Sequence, residues 1–187
     1  MLRHGQTEWN ALQRYQGQTD IPLNDTGREQ AYQAALLLKE QEAVQAIYCS
    51  DLLRASETAQ IIGESLGIEP ISDARLRELS FGVWEGLTFT EVYEKYPQEF
   101  DDWFRATPTY IVPGGESFHR LNERVIEAIA KIKQAGHQTV LLVTHGGVIK
   151  AMLSHADEGA DLWENAIGNA FMLTLELTED GRMRILK

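Results

Sequence analysis

Hydrophobic and polar positions along this chain change period several times, and the changes divide it into elements. Ala31, Ala34, Ala35 and Leu38 recur at i, i+3, i+4 and i+7, the stripe of a helix with one buried face. Ahead of them, Thr26-Gly27-Arg28-Glu29 has the Thr-x-x-Glu spacing of a capping box. Ala46-Ile47-Tyr48-Cys49 is a short apolar strand. Ser50 and Asp51 then read as caps of a helix that runs to about Leu66, where Gly67 stops it. Ile68 to Ile71 reads as another short strand around Pro70. Thr88-Phe89-Thr90-Glu91 repeats the capping-box spacing and opens a short helix ending at Pro97. From Phe100 to Gly115 the chain reads as aromatic and irregular, with three prolines in all from Pro97 through Pro108 to Pro113. Ser117 starts a long helix with Leu121, Val125, Ile129 and Ile132 on one face, ended by Gly136. The uninterrupted apolar run Val140 to Val143 reads as a central parallel strand, buried on both faces. A further helix spans Val148 to Ser154. Phe171 to Leu177 and Arg182 to Leu186 flank Asp180-Gly181, a hairpin signal.

Strands alternating with helices predict an α/β sandwich around a mostly parallel sheet. Its 187 residues fit a single domain, 1–187, with Phe81 to Gly115 read as a cap insertion at about 81–115. Only Met1 and Leu2 precede Arg3, so a first strand is cut to almost nothing.

Composition narrows the function classes. A net charge of −11 argues against nucleic-acid and anionic-membrane surfaces. It leaves room for a small anionic substrate, because a local cluster of arginines can dominate the potential inside a cleft. The single cysteine, Cys49, excludes an intrachain disulfide and points to a reducing, cytoplasmic compartment. No 18-residue apolar run exists to span a membrane. The expected state is a monomer or homodimer.

In an open α/β sheet, ligands bind beyond the carboxyl ends of the strands. Arg3-His4-Gly5 follows the first strand, Ser50 to Arg54 the second, and His145-Gly146-Gly147 the central one. Arg54 lies in the first turn of its helix, where the dipole disfavours a cation, so its charge calls for a functional reason. Three segments thus bring two histidines and two arginines to one edge. A metal site needs three or four ligands, and arginines repel the ion; no His-x-x-x-His or Cys-x-x-Cys spacing supplies a third ligand. A phosphate site fits better. Arg3 and Arg54 can bind non-bridging oxygens in bidentate fashion, His145 can add a hydrogen bond, and His4 can attack phosphorus in line. The leaving alkoxide then needs a proton from a carboxylic acid. Glu78 and Glu85, in the Arg77 to Gly86 loop, are both candidates by position.

The motifs resemble a known family. Leu2-Arg3-His4-Gly5-Gln6-Thr7-x-Trp9-Asn10 is similar to the Arg-His-Gly signature of the histidine phosphatase superfamily, in its phosphoglycerate-mutase-like branch. The resemblance continues through Pro22-Leu23-x-x-x-Gly27, Ser50-x-Leu52-x-Arg54-Ala55-x-x-Thr58-Ala59, Leu76-Arg77-Glu78, Gly82-x-Trp84-Glu85-Gly86, Pro113-Gly114-Gly115-Glu116-Ser117 and Thr144-His145-Gly146. It implies a three-layer α/β/α sandwich with a mostly parallel central sheet. It implies that His4 is the phosphorylated nucleophile, that Arg3, Arg54 and His145 form the phosphate pocket, and that Glu78 is the proton donor. Asn10, Gln16 and the Gly146 backbone would add phosphate contacts, with no metal and no cofactor. The implied substrate is a small phosphorylated molecule.

Mutase and phosphatase members of such a family share this pocket. Gln16 stands where mutases usually carry serine, and the chain is shorter than typical mutases, so phosphatase is favoured over cofactor-dependent phosphoglycerate mutase. The small bacterial phosphomonoesterases, including those acting on α-ribazole phosphate, are the nearest resemblance. A non-catalytic phospho-ligand binding protein is the third reading, and intact His4 and Glu78 count against it. His119, His137 and His155 read as surface or helix-end residues, and Cys49 as a buried small hydrophobe.

Overall fold

A computed structural model describes residues 1–41, 43–106, 108–156, 167–178 and 182–186. Four strands form a parallel sheet in the order β1 (Leu2–Arg3), β4 (Val140–Thr144), β2 (Ala46–Cys49), β3 (Ile71–Ser72). The apolar run at Val140 is indeed central. The first strand is two residues long, yet Leu2 is fully buried. Residues beyond Ile167 complete it: Leu2 bridges Met172 in antiparallel sense, and the Arg3 amide donates to the Phe171 carbonyl at 3.0 Å. The third strand is shorter than expected and shifted to Ile71–Ser72, past the proline, whose ring removes a ladder donor. Asp180 and Gly181 lie outside the described residues, but the strands they would join, β5 (Thr174–Leu177) and β6 (Met183–Leu186), pair antiparallel.

The sheet is the middle of three layers. Ile47, Cys49, Leu141 and Val143, alternate residues of β2 and β4, join Leu2 in one core cluster with α2 (Asp25–Gln41) and α3 (Leu53–Leu66). The expected stripe Ala31, Ala34, Ala35, Leu38 is buried. A second cluster gathers α6 (Phe118–Gln134) and α7 (Gly146–Ala156) with Leu79, Trp84, Val92, Phe100 and Trp103. Ser117 caps α6, its hydroxyl accepting from the Arg120 amide.

Several helix ends depart from expectation. Helix α2 starts at Asp25, and Asn24, not Thr26, caps it by accepting from the Gly27 amide at 2.9 Å. Gly27 has a different task. A Cβ there would strike the backbone of Gln6, and a Cβ on Gly5 would strike that of Gly27. Two glycines are needed for the start of α2 to lie against the turn after His4. Helix α3 is not capped by Asp51; the Asp20 carboxylate accepts from the Leu53 amide at 2.7 Å, and Ser50 Oγ from Leu52. The short helix α1 (Glu8–Ala11) was not expected, although Thr7 and Asn10 close a capping box around it. The Thr88–Glu91 box does open α4 (Phe89–Lys95). Beyond it the chain is not irregular: α5 (Pro97–Ala106) starts on Pro97, since a proline at the first helical position loses no hydrogen bond.

The aromatic stretch is anchored rather than loose. Trp84 is fully buried and meets Tyr15, Phe100 and Trp103 at centroid separations of 5.6, 6.3 and 5.9 Å. Such pairs contribute about 0.5–1.5 kcal/mol each beyond burial.

Candidate active site

Strand register brings the site together. Arg3 pairs with Thr144 and Cys49 with Val143, so His4 and His145 leave their strands at the same level and Ser50 one residue behind them. The His4 amide donates to the Thr144 carbonyl at 2.9 Å, and the two imidazole centroids lie 5.2 Å apart. His4 is 2% exposed and His145 fully buried.

The His4 ring is oriented by its own neighbour. Nδ1 lies 2.7 Å from the Gly5 carbonyl. A carbonyl only accepts, so Nδ1 carries the proton and Nε2 keeps its lone pair. Burial, then the charges of Arg3 and Arg54, hold the His4 pKa well below the ordinary 6.5, against the pull of the Gly5 hydrogen bond. His145 is lowered likewise, by burial first and then by Arg54, His4, Arg3 and Arg124. Both imidazoles are neutral at pH 7.

Two guanidiniums flank them. Arg54, in the first turn of α3, is fully buried; its Nη1 donates to the Thr19 carbonyl at 2.9 Å and Nη2 to Gly17 at 2.6 Å. Burial pushes its pKa down to about 10, partly offset by Glu78. Arg3 Nη1 donates to the Ile167 carbonyl. Among the described residues, Nε of Arg3, Nε of Arg54 and both ring nitrogens of His145 are buried with no partner. Buried polar atoms left unpaired cost roughly 1–3 kcal/mol each; here they are the two arginine Nε–H donors and, on neutral His145, one N–H donor and one acceptor nitrogen. The set matches a tetrahedral oxyanion.

Glu78 and Glu85, not separable by position in the sequence, have different surroundings. Glu85 is saturated: Oε1 accepts from the amides of Gln18 (3.1 Å) and Phe81 (3.0 Å), Oε2 from the Thr19 amide (3.0 Å) and hydroxyl. Glu78 lies close enough to both guanidiniums for its charge to raise the pKa values of Arg3 and Arg54. Its Oε1 accepts from the Leu79 and Gly147 amides at 2.8 and 3.0 Å. A methyl placed on Gly146 would lie 3.8 Å from Glu78 Oε2 and 4.0 Å from Arg3 Nε, so carboxylate, guanidinium and the start of α7 meet there.

The oxygens of Asn10 and Gln16 both face Thr7 Oγ1, at 3.1 and 2.8 Å. No group of three His, Cys, Asp or Glu among the described residues could hold a metal ion. His119 sits 3.5 Å from Glu123 on the surface, and His137 and His155 are exposed, outside the site. Cys49 is buried beside Ser72 Oγ at 3.6 Å.

The histidine phosphatase superfamily (branch 1) sequence profile matches residues 1–186. The chain belongs to the histidine phosphatase superfamily. It is 38% identical over 164 residues to phosphoglycerate mutase-like protein 4 of Arabidopsis thaliana, covering 86% of this chain and 71% of that one. It is 35% identical over 191 residues to phosphoserine phosphatase 1 of Hydrogenobacter thermophilus, covering 100% of this chain and 89% of that one. Its fold superposes on a mycobacterial glucosyl-3-phosphoglycerate phosphatase solved with VO3, at a TM-score of 0.88 and 34% identity over 99% of this chain and 94% of that one. The chain is a phosphatase of this superfamily, and no described helix is long and apolar enough to cross a membrane.

Two residues that hold this site in place had no role in the sequence reading: Asn169 stands in no motif, and Thr58 stands in the Ser50–Ala59 motif with no role assigned to it. Asn169 Nδ2 donates to the His4 and Gly5 carbonyls, both at 3.3 Å, and to Asn10 Oδ1 at 3.0 Å. Its context, Gly168-Asn169-Ala170, carries no periodicity or motif. Thr58 Oγ1 accepts from the Gly5 amide at 3.1 Å while donating to the Arg54 carbonyl at 2.7 Å. Its position four residues after Arg54, on the same helix face, was the available signal.

Proposed function

We propose that the chain hydrolyses phosphomonoesters through a phosphohistidine at His4. His4 Nε2 attacks phosphorus, the bond from phosphorus to the ester oxygen breaks, and the Glu78 carboxylic acid gives its proton to the leaving alkoxide. Water then attacks the phosphohistidine, Glu78 takes one of its protons, the phosphorus–nitrogen bond breaks and phosphate leaves. Arg3, Arg54 and His145 stabilise the charge on the equatorial oxygens by position and electrostatics. The amide nitrogens of Asn10 and Gln16 and the Gly146 backbone add donors. The observation that carries this reading is the neutral His4, its free Nε2 fixed by the Gly5 carbonyl, among buried donors that have no partner.

Residues 81–115 serve as a cap on the leaving-group side. Their cations are Lys95 and Arg105 alone, and Arg105 lies 3.7 Å from Asp101. A mutase must retain a small carboxylate-bearing acid, exclude water and return the phosphoryl group to a second hydroxyl. Aromatic walls with few cations suit a bulky alcohol better. The test compares kcat/KM for 3-phosphoglycerate primed with its bisphosphate against a panel of monoesters including phosphoserine and glucosyl-3-phosphoglycerate. Hydrolysis is expected to dominate. Mutase turnover about a hundredfold above the best hydrolysis, roughly 2.7 kcal/mol in barrier, overturns it.

A further inference from the structure

Glu78 owes its position to a guanidinium on another layer. Arg124, in the middle of α6, has a side chain only 19% exposed, against 15% for its partner Glu116. All five of its N–H groups are assigned. Nη1 donates to the carbonyls of Arg75 (2.8 Å) and Arg77 (2.6 Å), and Nη2 to that of Glu78 (2.9 Å). Nε and the second Nη2 proton grip Glu116 Oε2 and Oε1. Glu116 Oε1 also accepts from the Ser80 amide at 3.1 Å and from Gln18 Nε2 at 3.3 Å. Gln18 Nε2 lies 3.2 Å from the Glu78 carbonyl, and its neighbours Gly17 and Thr19 are the residues whose carbonyls hold Arg54.

Three carbonyls of one short segment therefore turn inward to a single fork, and the carboxylate orienting that fork reaches the loop under Arg54. A lysine could not span this set: its ammonium is a point donor, with no planar fork to grip a carboxylate while reaching three carbonyls. No hydrogen bond of the network goes to Arg3, His4, Arg54 or His145; Arg124 acts on His145 only through its charge.

We propose that Arg124, oriented by Glu116, is a positioning residue for the proton-transfer step: it sets the Glu78 backbone so that the carboxylate meets the leaving oxygen while the phosphate floor holds the phosphoryl group. The inference rests on the reading of Glu78 as the acid. It predicts a selective loss. An acid matters when the leaving oxygen needs a proton and little when the leaving group is already a good one.

The experiment measures kcat/KM for an alkyl phosphate and for 4-nitrophenyl phosphate with wild type, Arg124→Lys, Glu116→Gln and Glu78→Gln, together with the inhibition constant of vanadate, which reads the floor. Arg124→Lys is expected to lose about 10- to 100-fold on the alkyl ester, a part of the roughly 100- to 10,000-fold that general-acid catalysis supplies, and under about threefold on the nitrophenyl ester and in vanadate affinity. Glu116→Gln, which keeps the arginine, shows the same pattern more weakly and carries the test if Arg124→Lys folds poorly. Equal losses on both esters, or a matching loss of vanadate affinity, overturn the inference. Glu78→Gln separates the two layers of the argument. If it discriminates between the esters and the Arg124 and Glu116 variants do not, only this inference falls; if it does not discriminate, the assignment of the acid falls with it.

Discussion

The phosphate floor and the loop that carries Glu78 are neighbours built on opposite principles. In the floor, buried donors outnumber the acceptors around them: Arg3, Arg54 and His145 keep unpartnered nitrogens, and the two histidines are held neutral beside two cations. In the loop the charged groups are matched, although the buried Trp84 indole N–H has no partner. Arg124 uses its whole fork, Glu85 is ringed by amides and a hydroxyl, and Arg77 grips both oxygens of Asp51 at 2.7 and 2.6 Å. On the proposed reading, the ligand finishes an incomplete floor, and binding energy goes into the charge that develops on phosphorus. A complete loop holds one carboxyl group still whether or not a ligand is present.

The comparison can be broken hardest from the floor. Arg54→Lys keeps a charge but loses the fork between Gly17 and Thr19. It is expected to lower kcat/KM by about a thousandfold, some 4 kcal/mol of transition-state stabilisation, on good and poor leaving groups alike, while thermal unfolding shifts little. Steady-state kinetics and a melting curve check both halves.

A change in the loop has the opposite signature. Glu85→Gln halves the acceptors available to the Gln18, Thr19 and Phe81 amides. The expected cost is about 2 kcal/mol of stability, or roughly 4–8 °C in melting temperature for a chain of this size. Activity on both esters is expected to fall by a common factor. A variant that melts like wild type would show that the loop is not held as described.

The smallest effect sharpens the floor alone. His4 and His145 resist protonation in the folded chain, whereas in the unfolded chain they take up protons near pH 6.5. Below that pH the unfolded state binds more protons, so stability rises with pH up to about 6.5 and is level above it as far as these groups are concerned. Each histidine contributes up to about 1.4 kcal/mol per pH unit of acidification. Bound phosphate brings negative charge to both rings and favours their protonated forms. The melting-temperature loss between pH 7.5 and 5.5 should therefore be smaller with saturating phosphate than without, and an unchanged loss would contradict the floor's electrostatics.

The same contrast explains what could be read from the sequence. The floor was legible because its residues sit directly after strands, where register alone brings them within one residue of level: Arg3 opposite Thr144, Cys49 opposite Val143. The central place of β4 followed from one uninterrupted apolar run. The loop was not legible, because backbone atoms bind its key groups. Nothing in Arg124 or Glu116 announces that three carbonyls forty-odd residues upstream turn toward that fork. Helix α5 was missed for a related reason. Its proline and aromatics read as irregular, yet Pro97 is harmless at a first helical position, and Phe100 and Trp103 pack into the core beside Trp84. Asn24 caps α2 in place of Thr26 where Gly27 packs against Gln6, and Asp20 caps α3 while Arg77 holds both oxygens of Asp51.

The central claim is that His4 Nε2 carries the phosphoryl group. It is tested most directly by mixing the enzyme with a labelled phosphomonoester, quenching in base within one turnover, and mapping the label by peptide. Acid-labile, base-stable label on the peptide containing His4, absent from His4→Ala and retained in Glu78→Gln with a good leaving group, is the predicted result. Label on the peptide containing His145, or trapping that persists in His4→Ala, would contradict it.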